Sequence, residues 1–210
     1  MKDFSIAMAL VDYIPVLMFG LGAAILQRDL YNKMSKGAFA LFAAGTINVF
    51  AAGALKATYK LLYAANICDF EPLNAMFFPV QSIGFLLAGI AMIALLTWKQ
   101  HKDVAALSVA PVLWKGTFLF VGLMVAGLGC MYAGLCYFAA KLKKTVVIVL
   151  FVLAFVCCMG MGYLSSKDFA EASMNWIAEG VNVVGQGSFL VGVLLLDKAG
   201  LEKFEMPIKK

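Results

Sequence analysis

The segment 173–196, SMNWIAEGVNVVGQGSFLVGVLLL, is apolar and of membrane length, yet it carries Asn175, Glu179, Asn182 and Gln186. At about 100° per residue, their spacings fall within an arc of roughly 60°, so a helix here has one polar face and is otherwise apolar. An acid at the centre of a membrane helix costs roughly 2.5–3.5 kcal/mol on insertion scales. Such groups therefore face protein, water or a ligand. The chemistry open to one carboxylate and three amides is that of a solute or ion site, in which Glu179 supplies charge or a proton and the amides replace hydration. The competing reading is amide glue between helices, at about 0.6 kcal/mol per bond. Four polar residues beside Gly180, Gly185 and Gly187 exceed what glue requires.

Asn74, Gln81 and Ser82 offer a facing wall on another apolar segment, and Asn48 is a weaker candidate. Phe77, Phe78 and Phe85 stand near that wall and suit an apolar cavity lining. Two lateral charge pairs are expected from depth and sign: Asp12 with Lys56, and Lys115 with Glu179. Intramembrane ions tend to pair and to mark pathways. Lysine stems also reach headgroups; that snorkelling reading is preferred for Lys60 and stands level with pairing for Lys56 and Lys115. No metal and no cofactor is expected. Cys68, Cys130, Cys136, Cys157 and Cys158 show neither CxxC nor Cys/His spacing, and the lone His101 excludes bis-histidine haem ligation within the chain. Enzymatic signatures such as HExxH, GxSxG or a Walker A loop are missing, which ranks an intramembrane enzyme last.

The elements that must position these groups follow from composition. With 63% hydrophobic and 14% charged residues over 210 positions, the chain is too apolar for a soluble domain. At about 20 residues per span, the sequence predicts an all-α polytopic membrane protein with six transmembrane helices, over 5–27, 37–62, 73–98, 109–140, 145–164 and 173–196. They form one transmembrane domain, and the start reads as a retained first helix. Pro15, Pro79 and Pro111 are expected to kink their helices. The small residues Gly122, Ala126, Cys130 and Gly134 form a packing ridge along the fourth span.

An even span count puts both termini on one side. The charge bias, ten basic residues against seven, weakly favours a cytoplasmic location for that side of a plasma (inner) membrane. The halves 5–98 and 109–196 echo each other. PVLMFG at 15–20 matches PVLWKG at 111–116, and Asn74, Gln81 and Gly84 align with Asn175, Asn182 and Gly185. With three spans each, the halves would form a 3+3 inverted repeat, an architecture of transporters. One pattern opposes inversion: the loops after the first and fourth spans, RDLYNKMSK and KLKK, are basic, while those after the second and fifth, CDFEP and SKDFAE, contain acids. Such loops suit a parallel repeat, which six spans cannot supply without another crossing.

The formal charge of +5 resides in loops and helix ends, so it suits anionic headgroups and excludes a nucleic-acid stripe. The expected function is a small helical transporter or channel for a small polar or cationic solute, with its site between the third and sixth helices. Asn74, Gln81, Asn175, Glu179, Asn182 and Gln186 would line it. The alternative is a non-catalytic ligand- or partner-binding membrane subunit of a larger complex. Expected partners are membrane lipids, a small-molecule solute or ion, and a second copy or a partner subunit.

Overall fold

Proline chemistry explains the first irregularities along the chain. In the computed structural model, which describes residues 5–97, 117–164 and 172–205, α1 (Ile6–Val11) and α2 (Tyr13–Leu30) are separated by a break at Asp12. Pro15 has no N–H to give the Val11 carbonyl and its ring crowds that carbonyl, so the helix breaks there. The same arithmetic separates α4 (Glu71–Ala75) from α5 (Phe77–Thr97): the carbonyl four residues before Pro79 is that of Ala75. Where kinks are expected at Pro15 and Pro79 the helix is interrupted at Asp12 and Met76, both of which keep right-handed helical dihedrals, while Pro111 lies outside the described residues. Between these elements runs α3 (Lys36–Ala64), capped by Ser35, whose hydroxyl accepts from the Ala38 N–H at 3.2 Å. The remaining helices are α6 (Thr117–Lys141), α7 (Thr145–Leu164) and α8 (Ala172–Lys198), the last ended by Gly200 in the left-handed conformation, φ 91°.

The described residues are helical, with no strand among them. Five stretches are long and apolar enough to cross a membrane: Ile6–Leu30, Lys36–Ala64, Glu71–Thr97, Leu119–Lys141 and Ser173–Lys198, with Thr145–Met161 a shorter apolar helix. Helices of this length and composition are consistent with an integral membrane protein, and each overlaps one of the segments expected from hydropathy, running at most three residues past its ends.

The helices close into a ring. α2 packs on α3, α3 on α5, α5 on α6, α6 on α7, α7 on α8, and α8 back on α2. Two backbone approaches set the tightest seams. A Cβ on Gly45 would lie 2.6 Å from the Gly84 carbonyl oxygen, and one on Gly89 would lie 2.5 Å from that of Gly127. Only glycine lets helices meet this closely.

These seams also fix direction. Phe85 meets Gly127 and Met92 meets Gly134, so contact advances along both chains together and α5 and α6 run parallel. In contrast, α8 runs antiparallel to α7, since Gly185 meets Cys157 while Gly192 meets Phe151. Arg28 near the end of α2 reaches Asp197 near the end of α8, so α2 and α8 are parallel. The directions of α2, α3 and α5 are therefore repeated by α6, α7 and α8, and half a turn of the ring carries one set onto the other. An inverted 3+3 arrangement is incompatible with this, because it would make α5 and α6 antiparallel. Among the described residues, Ile6 at the start of α1 and Lys198 at the end of α8 lie at opposite ends of the bundle. The end of α5 and the start of α6 likewise lie at opposite ends, and residues 98–116 between them are outside the described residues. The small-residue ridge contributes only in part. Gly134 packs on Met92, Gly122 has open space beside it, and Gly127, one residue off the ridge, makes the closest approach.

Candidate functional site

Inside the ring, the half nearer Ile6 is hollow and the other half is filled. An aromatic layer separates them. Phe19 of α2 stacks on Phe189 of α8 at 5.4 Å and meets Phe85 of α5 edge-on at 6.1 Å, while Tyr132 of α6 lies 6.1 Å from Phe189 and 6.2 Å from Phe151 of α7. Beyond this layer Leu26, Leu30, Phe42, Met131, Leu135, Phe138, Val193 and Leu196 pack without exposure. At that filled end Arg28 donates to Asp29 at 2.8 Å and to Asp197 at 2.6 Å, tying α2 to α8. Lys33, in the turn between α2 and α3, donates to the Glu202 and Phe204 carbonyls at 2.8 and 2.7 Å, and burial there holds its pKa below the usual lysine value.

The hollow half is a cavity of about 670 Å³, within the roughly 300–1,000 Å³ range of small-molecule sites. Helix geometry explains why its wall is polar. The stripe of α8 points inward, with Asn175 and Glu179 buried, whereas Trp176, Ile177 and Val184 on the other face are exposed. All six residues expected to form a site, Asn74, Gln81, Asn175, Glu179, Asn182 and Gln186, line this cavity, together with Asp12 and Lys56. Ser82 and Asn48 do not. Phe77, Phe78 and Phe85 supply an apolar wall, and Asp69, exposed in the turn after α3, stands at the rim.

The charge pairing differs from expectation. Lys60 places its Nζ 2.7 Å from Asp12 Oδ2 and 2.7 Å from Glu179 Oε1, with its side chain only 9% exposed. Asp12 therefore pairs with Lys60, one helical turn beyond Lys56. Glu179 does the same, and its expected partner Lys115 lies outside the described residues. Nor does Lys60 snorkel. The physical reason is direction: α8 enters the bundle at the end where α1 begins and α3 finishes, so groups assigned to opposite faces by an antiparallel count share one depth. Asp12 is free to turn inward because the Pro15 break lies there.

Lys56 has its ammonium 4.1 Å from the centre of the Phe77 ring, a cation–π contact. Deeper on α8, Gln186 donates to Cys158 Sγ at 3.8 Å, while its Oε1 is buried and accepts nothing among the described residues. Toward the rim, the Tyr59 hydroxyl reaches Asp69 at 3.0 Å and Glu71 at 3.3 Å, and Tyr13 and Thr58 share a 2.8 Å hydrogen bond. No group of three or more His, Cys, Asp or Glu side chains among the described residues has the arrangement to hold a metal ion.

Sequence reasoning missed the polar face of α3. Gly53, Lys56, Tyr59, Lys60 and Tyr63 all line the cavity, and their spacings of three and four are a helical face legible without a structure. Judging each lysine separately for snorkelling hid that pattern. Comparisons of the chain with protein-family models, with curated proteins and with solved structures find no match.

Proposed function

We propose that the chain is a small helical membrane transporter in which two three-helix units, α2–α3–α5 and α6–α7–α8, move about a solute site in the cavity between them. The observation that carries this reading is the cavity itself: charged and amide groups at the α1–α2 junction and on α3, α4, α5 and α8 converge on a space open at one end of the bundle and closed at the other by the Phe19–Phe85–Phe189 layer. A membrane protein keeps buried ions and amides where they meet a solute, a proton or water. Units related by an axis along the membrane normal, with the substrate between them, are a known transporter architecture. The recurrence of Asn74, Gln81 and Gly84 on α4 and α5 as Asn175, Asn182 and Gly185 on α8, with α5 and α8 related by half a turn of the ring, supports an origin by parallel duplication.

A one-sided cavity favours a transporter over an open channel. Glu179 and Lys60 would form the charged part of the site, with Asn74, Gln81, Asn182 and Gln186 replacing the solute's hydration shell. The ring would cross the bilayer, placing Ile6 and Lys198 on opposite sides. The test is solute flux into liposomes reconstituted with the pure chain, followed by light scattering across a panel of small polar solutes. Saturable flux that Asn182→Leu and Gln186→Leu abolish, at unchanged yield of folded protein, is the expected result. Saturable binding without flux would instead favour a binding subunit that works with a partner.

A further inference from the structure

Two charged groups on the cavity wall have capacity that the protein leaves unused. Lys56 forms no ion pair within 4 Å of any described carboxylate; its ammonium lies over the Phe77 ring. Glu179 gives Oε1 to Lys60, while Oε2 is buried and accepts no hydrogen bond among the described residues. The neighbouring carboxylate, Asp12, is bound to the same ammonium. The cavity thus holds one cation, on α3, and one acid oxygen, on α8, without ion-pair or hydrogen-bond partners among the described residues.

Charge balance selects what fits them. With Asp69 exposed at the rim, the charged groups of the inner lining, Asp12, Glu179, Lys56 and Lys60, sum to zero, so a buried anion or a buried cation would leave them with an uncompensated charge, which low-dielectric surroundings penalise. A solute carrying both charges leaves the sum unchanged and satisfies both groups. Resting on the reading of this cavity as a solute site, we infer that its substrate is a small zwitterion of the amino-acid type. Its carboxylate meets Lys56, its ammonium meets Glu179, and its apolar portion lies against Phe77, Phe78 and Phe85. This narrows the solute class and removes simple cations from it.

The experiment uses the full chain, purified in one detergent, and two probe families. L-phenylalanine is compared with phenethylamine and 3-phenylpropionate, and L-leucine with isopentylamine and 4-methylpentanoate, each titrated against thermal unfolding. In at least one family the zwitterion should bind about tenfold or more tightly than either half, the factor a single charge contact of about 1.4 kcal/mol provides. Lys56→Gln should reduce its affinity to that of the matching amine and leave the amine unaffected, whereas Lys56→Arg should preserve the preference. If in both families an amine or an acid binds as tightly as its zwitterion, or none of the six binds saturably, the inference is overturned. It is also overturned if Lys56→Gln binds the zwitterion as the wild type does. Such results leave the solute-site reading standing if a cysteine at Asn182 is still reached by aqueous reagents; a cysteine there that is never reached removes the solute-site reading itself.

Discussion

Removing Lys60 is the sharpest perturbation of the cavity wall. In Lys60→Met, Asp12 and Glu179 remain with bonded oxygens at most twice 2.7 Å apart and no ammonium between them. At an effective dielectric of about 20, like charges about 5 Å apart repel by roughly 3 kcal/mol. Protonation sets a ceiling, since charging one carboxyl with a proton at pH 7 costs roughly 4 kcal/mol for an acid of ordinary pKa near 4. Lys60→Met should therefore destabilise by about 3–5 kcal/mol, the range for breaking a buried pair from one side. Glu179→Gln alone keeps the Asp12–Lys60 contact and should lose about 1–3 kcal/mol, that of a hydrogen bond to a charged group. In the Lys60→Met background the sign reverses: adding Glu179→Gln removes the repulsion and should restore about 3 kcal/mol. Unfolding of the four proteins in one detergent gives the cycle. Effects that simply add to within about 0.5 kcal/mol would refute a shared ammonium.

At the filled end, Arg28→Ala should lower the melting temperature more than Asp197→Ala does. The first leaves the fully buried Asp29 side chain without its donor, while the second removes an acid that is 30% exposed; equal shifts would contradict this. Gly127→Ala should destabilise by about 1–3 kcal/mol or more, because its Cβ would enter the backbone of Phe85 and Leu86. Gly122→Ala, with open space beside it, should be neutral or gain about 0.5–1 kcal/mol of helix propensity. Single cysteines at Lys33 and Lys143 in a cysteine-free chain should be labelled from the same side of a membrane and one at Asn66 from the other. Labelling of 33 and 143 from opposite sides would restore the antiparallel count and overturn the parallel arrangement.

Helix content, the Pro15 and Pro79 breaks and the inward stripe of α8 were legible because each depends on local chemistry: hydropathy, a missing N–H, a 3.6-residue period. Direction was not, because it depends on where residues 98–116 carry the chain, and hydropathy does not fix that. Two sequence signals did favour the parallel order. The basic loops after the first and fourth spans and the acidic loops after the second and fifth recur in phase, and Gly84 and Gly185 both sit where their helix meets the preceding one, at Gly45 and Cys157 respectively. The pairing of Lys60 followed from direction, so the error in topology moved Glu179 to the wrong depth and gave Asp12 the neighbour one turn away. The amides needed no such knowledge, since a polar residue on an apolar helix faces inward whichever way the helix runs.

A solute site in the hollow half of the ring requires that water and solute reach the α8 stripe from one end. The most direct measurement is the reactivity of Asn182→Cys and Val184→Cys, each in a cysteine-free chain in sealed proteoliposomes, with charged membrane-impermeant thiol reagents added to one side at a time. Asn182 lines the cavity, while Val184, two residues on, is 53% exposed on the outer face of the ring. The cysteine at 182 should react from a single side, the side on which a cysteine at Asn66 reacts, and the cysteine at 184 should stay inert against lipid. An unreactive 182, or a 184 that reacts as fast, would contradict the account.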